Sequence, residues 1–330
     1  KVTVSNVDAP LDIYDIDTEH TALADIDTFD LTVRSNAPIM VEIAVPSELS
    51  GSAPDDLVNV LARNFNDSRA EVNGRTIGIN IRSISSGEVV TYMTEGDYRP
   101  DGYIPSSDAP GEMIGAKGIG VIKLTDRIAG NTAGILMEKS TYNEFTEKYG
   151  AVTVDKVLEA SLAGDLTFAY TNPYTSATGL NILTAMLHSF DANNPLSDTA
   201  AQKLLDYQKQ SPPVAYTTGV LRTQAAKGII KAMVMEEQAY VNTPELKDYV
   251  YTPAGIRHDH LVYTFDYVSS EKQEALRQFV EYCLSPEAQR LATEKGFNRH
   301  DDYIGQSPGL DGAGYLAAQK IWKANKDGGK

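Results

Sequence analysis

Small hydroxyl and glycine residues recur at five places where an extended stretch gives way to a helical pattern: Ser47–Ser52, Ser85-Ser86-Gly87, Ser106-Ser107, Thr175–Gly179 and Tyr216–Gly219. The first turn of a helix exposes backbone N–H groups and the positive end of the helix dipole, and a Ser or Thr there adds a hydroxyl. One such end is usually an ordinary cap. Several converging in one crevice would bind a small anion or carboxylate.

Other chemistry is thinly represented. There is no GxSxG elbow, no Walker-type glycine loop, no HExxH and no SxxK with its companions. The glycines of Gly115-x-x-Gly118-x-Gly120 precede an apolar segment instead of following a strand, which argues against a dinucleotide site. Of five histidines only His258 and His260 are close in sequence. On a strand they point the same way and could share a metal, and a turn into Leu261-Val262-Tyr263 accounts for them equally well. Asp15-x-Asp17-x-Glu19 invites a calcium loop but has His20 and Ile26 where the loop glycine and final acid belong, so acidic, solvated strands are the simpler reading. The single Cys283 allows neither an intramolecular disulfide nor a CxxC motif, and its helical spacing with Leu276, Phe279 and Val280 marks a core position.

The elements that must carry the five loops are legible as alternating strand and helix signals. Val41–Val45, Thr76–Arg82 and Gly102–Pro105 read as strands, with a helix through Leu57, Val58, Leu61 and Phe65 and a capping box at Ser85-x-x-Glu88. A second block repeats the pattern: strands at Gly134–Met137, Leu166–Tyr170 and Ile229–Met235, a helix capped at Thr141-x-x-Glu144, and helices at Val154–Leu162 and 199–210. Ser270-x-x-Gln273 and Ser285-Pro286-Glu287 open two later helices. This order predicts an α/β fold with parallel sheets, whose ligands sit at the carboxyl ends of the strands. Residues 1–37 differ: seven aspartates interleaved with apolar residues suggest a short acidic β segment.

A length of 330 residues suits about two domains. With 45 acidic against 29 basic residues the net charge is -16, which excludes nucleic acid and anionic membrane surfaces as natural partners. No apolar run approaches a spanning helix of about 18 residues. The chain opens at Lys1-Val2-Thr3-Val4 and stops at Asp327-Gly328-Gly329-Lys330, so a leader before it and further sequence after it are expected.

Val45-Pro46-Ser47-Glu48-Leu49, the run from Gly164 through Thr171-Asn172-Pro173-Tyr174-Thr175-Ser176-Ala177-Thr178-Gly179-Leu180-Asn181, and Ser285-Pro286-Glu287-Ala288-Gln289 resemble the type II extracellular solute-binding proteins of ABC transporters. Ala232-Met233-Val234-Met235-Glu236 and Tyr251-x-Pro253-Ala254-Gly255 through Asp259-His260 are similar to the molybdate- and phosphate-like branch. The resemblance covers roughly residues 38–305. It implies a two-lobed type II periplasmic-binding-protein-like fold with two crossover strands and hinged closure on a ligand. The first lobe would comprise 38–125 with 265–330, the second 126–264. Ser47, Ser86 and Ser107 would face the cleft from the first lobe, and Thr175, Ser176, Thr218 and Glu236 from the second. Tyr315-Leu316-Ala317-Ala318-Gln319-Lys320-Ile321-Trp322 and the residues after it resemble the segment that joins a solute-binding-like module to a von Willebrand factor A-type domain in some surface proteins.

The implied function is capture of a small polar or anionic solute by a monomeric, non-catalytic protein without a cofactor. It would be extracellular, anchored at the cell surface or periplasmic, and read by an ABC permease, a signalling partner or a C-terminal partner domain. The alternative is an adhesion or interaction module that keeps the fold as a scaffold. An oxyanion is narrowly preferred: neutral donors can bind one, no Arg or Lys lies in the five loops, and Arg82 and Arg222 are the nearest cations. Trp322 lies far in sequence from those loops, which disfavours a sugar held by Trp stacking, and the aromatic Tyr174 leaves a larger ligand open.

Overall fold

The structure, a computed structural model, describes residues 23–301 and 309–327. The acidic run at Asp15, Asp17 and Glu19 lies outside them. Of the acidic N-terminal segment, the described part makes one short 3-10 turn at Ile26–Thr28 and a three-residue strand, less extended structure than its alternation suggests.

Strands β1 (Leu31–Val33) and β2 (Ile39–Val45) are followed by helices α1 (Ser47–Ser50) and α2 (Leu57–Asp67). Then come β3 (Glu71–Val72), β4 (Arg75–Ser83), α3 (Ser86–Thr94), β5 (Gly102–Tyr103), α4 (Ala109–Ala116) and β6 (Val121–Thr125). The second lobe runs through β7 (Gly130–Glu138), α5 (Lys139–Tyr149), α6 (Val154–Leu162), β8 (Tyr170–Thr171), α7 (Ala177–Phe190) and α8 (Asp198–Gln208). It ends with β9 (Val214–Ala215), α9 (Thr218–Ala226), β10 (Ala232–Glu236), α10 (Glu237–Val241) and β11 (Tyr249–Asp259). The chain then returns as β12 (Val262–Phe265), α11 (Ser270–Cys283), α12 (Pro286–Glu294) and α13 (Gly312–Asp327).

The first sheet has the order β1-β4-β2-β5-β12-β6, with β3 hairpinned onto β4. β2 is parallel to both β4 and β5, so the three chains leave the sheet at one edge. Helices cover both faces because β2 is apolar on both: Ile43 packs with Leu61, Phe65 and Phe279, while Ala44 packs with Val89, Met93 and Met113. Cys283 is buried in the former cluster, where desolvation holds its thiol far above the usual range, as the core reading expects. In the second lobe β10 and β11 flank β7 antiparallel, and β8 pairs parallel with β9. A parallel bridge from Ala169 to Met233 joins these two sheets and aligns β8, β9 and β10 in direction.

Two crossovers join the lobes, one from β6 to β7 and one from β11 to β12. They lie side by side, tied by Ile128 N–H to His260 O at 2.9 Å and His260 N–H to Ala129 O at 3.1 Å. His258 and His260 belong to this hinge, and both are fully buried. Desolvation pushes His258 down to about 4 and His260 to about 3, and His260 Nδ1 sits 3.2 Å from Pro105 O with its ring edge-on to Phe297. Among the described residues no group of three His, Cys, Asp or Glu could hold a metal, so the pair reads as neutral hinge core.

Three local expectations change. Leu166–Phe168 is not strand, and only Ala169 makes a bridge. α5 begins at Lys139 directly off β7, so Thr141 is inside the helix and Glu138 takes the cap position. α13 does not belong to the first lobe alone: Tyr315 packs with Met113 and Tyr263, whereas Ala318 and Trp322 join the second lobe's core.

Candidate ligand-binding cleft

Aligned strands deliver their loops to one place. β2 runs into Pro46-Ser47-Glu48, β4 into Ser85-Ser86 and β5 into Ser106; opposite them β8 leads to Thr175 and Ser176, β9 to Thr217 and Thr218, and β10 ends on Glu236. These residues enclose a cavity of about 20 Å³ between the lobes, space for roughly one water molecule. Ser47, Ser86, Thr175, Ser176, Thr218 and Glu236 all line it. Ser107 does not; it is buried outside the lining, and its neighbour Ser106 takes the place.

Several of the hydroxyls are already committed. Ser176 Oγ caps α7 by accepting from Gly179 N–H at 3.3 Å and from Thr171 Oγ1 at 3.0 Å. Thr175 Oγ1 donates to Tyr216 O at 2.7 Å. Ser86 Oγ accepts from Ser106 N–H at 3.1 Å, while Ser106 Oγ donates to Glu48 Oε1. Ser47 is exposed at the mouth.

Glu48 was missed in the sequence, where an acid in a helix's first turn reads as a complement to the dipole. It stands in the cavity wall opposite Glu236. Desolvation, and next the charge of Glu236, push the Glu48 carboxyl up to about 7. Glu236 is also raised, again by desolvation, against the hydrogen bond that Thr178 Oγ1 donates to its Oε1. A carboxyl raised in the folded state binds its proton more tightly there than in the unfolded chain. Its contribution is therefore complete below the ordinary carboxylate value and is lost as pH climbs through about 7. Unfolding of the solute-free protein should show a stability lower by about 2 kcal/mol at pH 8 than at pH 5, and Glu48→Gln should flatten that slope.

The lobes are held together by their own polar contacts. Arg222 Nη2 on α9 meets Asp55 Oδ2 at 2.5 Å, and Gln238 Nε2 donates to Asp55 Oδ1 at 2.9 Å. Tyr216 Oη donates to Glu88, whose other oxygen accepts from Ser85 Oγ at 2.6 Å; Ser85 takes the cap position of α3 but its hydroxyl is spent on Glu88, so the expected capping box does not form. Gly87 N–H reaches Thr175 O at 3.3 Å. Of the two cations nearest the loops in sequence, Arg222 thus spans the lobes, while Arg82 is buried on Glu42 at 2.8 Å and donates to Ile26 O and Phe29 O. Tyr174 does not line the cavity; its ring lies 6.0 Å from that of Trp322, which therefore backs this loop despite the distance in sequence. A larger surface cavity, about 1150 Å³, lies elsewhere, between β6, α4 and the start of α13.

The sequence profile of bacterial extracellular solute-binding proteins matches residues 49–298. The chain belongs to this family. Solved structures agree with the two-lobed architecture of such solute-binding proteins. A periplasmic thiamin binding protein is similar with a TM-score of 0.63 at 12% identity, over 87% of this chain and 96% of that one. Iron-bound HitA from Pseudomonas aeruginosa gives 0.58 at 15% identity, over 88% and 99%. The sulfate-binding protein SubI from Mycobacterium tuberculosis H37Rv gives 0.56 at 12% identity, over 80% and 88%. No curated protein matches the sequence significantly. Among the described residues no helix is long and apolar enough to cross a membrane.

Proposed function

We propose that this solute-binding protein captures a small polar solute in the cavity between its lobes and presents the closed form to the permease of an ABC transporter. The observation that carries the reading is the convergence of Ser47, Ser86 and Glu48 from one lobe with Thr175, Ser176, Thr218 and Glu236 from the other on a single enclosed space. Both walls come from one chain, which supports action as a monomer. Anchoring at the cell surface is part of the same proposal. So is the division of lobes at the two crossovers, near residues 126 and 261; β12 pairs in the first sheet, so the second boundary falls a few residues before 265.

The thiamin-, iron- and sulfate-binding relatives of this fold differ in solute, so fold alone leaves the solute class open. The preference for an oxyanion loses its support: it rested on neutral donors, and the cavity wall holds two carboxyl groups and no Arg or Lys. Melting the protein against a panel of amines, oxyanions, amino acids and sugars tests the receptor reading. A true solute at 100 times its Kd adds about 2.7 kcal/mol of stability. Unchanged melting across the whole panel would rule the reading out.

A further inference from the structure

Glu236 is 3% exposed; its Oε1 accepts from Thr178, its Oε2 has no partner at good hydrogen-bond geometry among the described residues, and the Thr218 hydroxyl lies near enough to favour the ionised carboxyl. An unsatisfied buried carboxylate oxygen is costly unless something donates to it. The opposite wall brings Glu48, and beyond the cavity stand Asp55 and Glu88. Among the described residues Arg222 is a cation close enough to feel both glutamates, and its guanidinium is engaged by Asp55. Ionising both glutamates would leave an excess of negative charge between the walls, inside a chain of net charge -16, which is why the solute-free site holds on to its protons. A donor-rich positive group relieves it; a second anion aggravates it.

From the opposed carboxyls of Glu48 and Glu236 and the unpartnered Glu236 Oε2, we infer that the cleft takes a cationic solute, a small organic ammonium whose –NH3+ group sits between the two glutamates. This rests on the receptor reading above and names its solute. A cavity of about 20 Å³ is close to the size of one ammonium group. Its three N–H donors match Glu236 Oε2, Glu48 and a cavity hydroxyl such as Thr218, which then acts as acceptor. The organic part leaves toward Ser47, the exposed residue of the lining. A metal ion fits less well: no group of three His, Cys, Asp or Glu that could hold one occurs among the described residues.

Proton linkage separates this solute from the others. The groups facing the pair are Asp55, Arg222 and His258, whose Nδ1 lies 4.0 Å from Glu236 Oε1. With His258 neutral, the proton shed when the ammonium enters comes from the glutamates. Affinity should therefore rise with pH, up to about tenfold per unit below neutrality, and then level off.

The experiment melts the wild-type protein at pH 7.5 with methylammonium, ethanolamine and putrescine, and in parallel with sulfate, phosphate, molybdate, glucose and calcium. An active amine is then titrated calorimetrically at pH 5.5, 6.5 and 7.5 in two buffers of different ionisation enthalpy. Stabilisation by an amine, with proton release, is expected. Glu236→Gln and Glu48→Gln should each weaken that amine at least 100-fold while melting no lower than wild type when free. Stabilisation by an oxyanion, glucose or calcium alone overturns the ammonium assignment and leaves the receptor reading standing. A shift with nothing overturns both. Should either variant fail to fold, the wild-type proton release decides: amine binding without it overturns the inference.

Discussion

Gly87→Val is expected to keep the cleft from closing, weakening solute binding by about 100-fold or more while both lobes remain folded. A Cβ at Gly87 would stand 2.2 Å from Tyr174 O and 2.8 Å from the Thr175 carbonyl carbon, both backbone atoms of the opposite lobe. Neither can turn aside as a flexible side chain would, so the lobes must separate. Inside its own lobe the change is mild, because Gly87 is in the first turn of α3 and Gly is a poorer helix former than Val. The loss is thus confined to the closed form, and a 100-fold change in affinity corresponds to about 2.7 kcal/mol of bias toward the open one. Small-angle scattering should show a larger radius of gyration with or without solute, and the melting response to the stabilising compound should vanish. Wild-type affinity in this variant would mean that the solute is not held by the closed arrangement.

Trp322→Ala should cost about 3–5 kcal/mol in unfolding experiments. The indole is buried in the second lobe's core, lies tilted against the ring of Tyr174 and donates from Nε1 to Tyr170 Oη at 2.8 Å. Removing it leaves a large void and takes a donor from a buried phenol. Lys320→Ala, on the exposed side of the same helix, should change stability by less than about 0.5 kcal/mol. Equal effects from the two substitutions would contradict the docking of α13.

Much of this was legible because local chemistry dictates it. The apolar run Val41–Val45 has to be a strand covered on both faces, and hydroxyls after such strands have to meet the open N–H groups of the following helices. Of the seven positions that the resemblance implied, six line the small cavity between the lobes. Legibility ends where a single residue's placement matters. Ser106 and Ser107 are equivalent as sequence, and only the path of the loop after β5 puts the first in the cavity wall and leaves the second buried outside it. Glu48 escaped because its role depends on Glu236, a partner almost 190 positions away that only lobe closure brings near. Leu166–Phe168 has the composition of a strand, but pairing begins at Ala169, and the preceding apolar side chains serve the core without a ladder. The amphipathic pattern of α13 predicts that one face is buried without saying against which lobe.

That last helix has a mechanical consequence. Near its start Gly312 lies so close to Glu112 O on α4 that a Cβ would be 2.1 Å away, and Tyr315 is sunk in the first lobe. Further along, Gln319 donates to Pro173 O at 2.9 Å and Asn325 to Ala201 O at 2.7 Å, both in the second. Two antiparallel crossovers alone would permit the lobes to twist as well as to open. A rigid rod riveted to both bodies removes that freedom: any motion that keeps both sets of rivets must turn about a line running close to the rod itself. Opening is then a single-axis swing, and a load applied to the end of α13 pulls directly on the bearing of that swing.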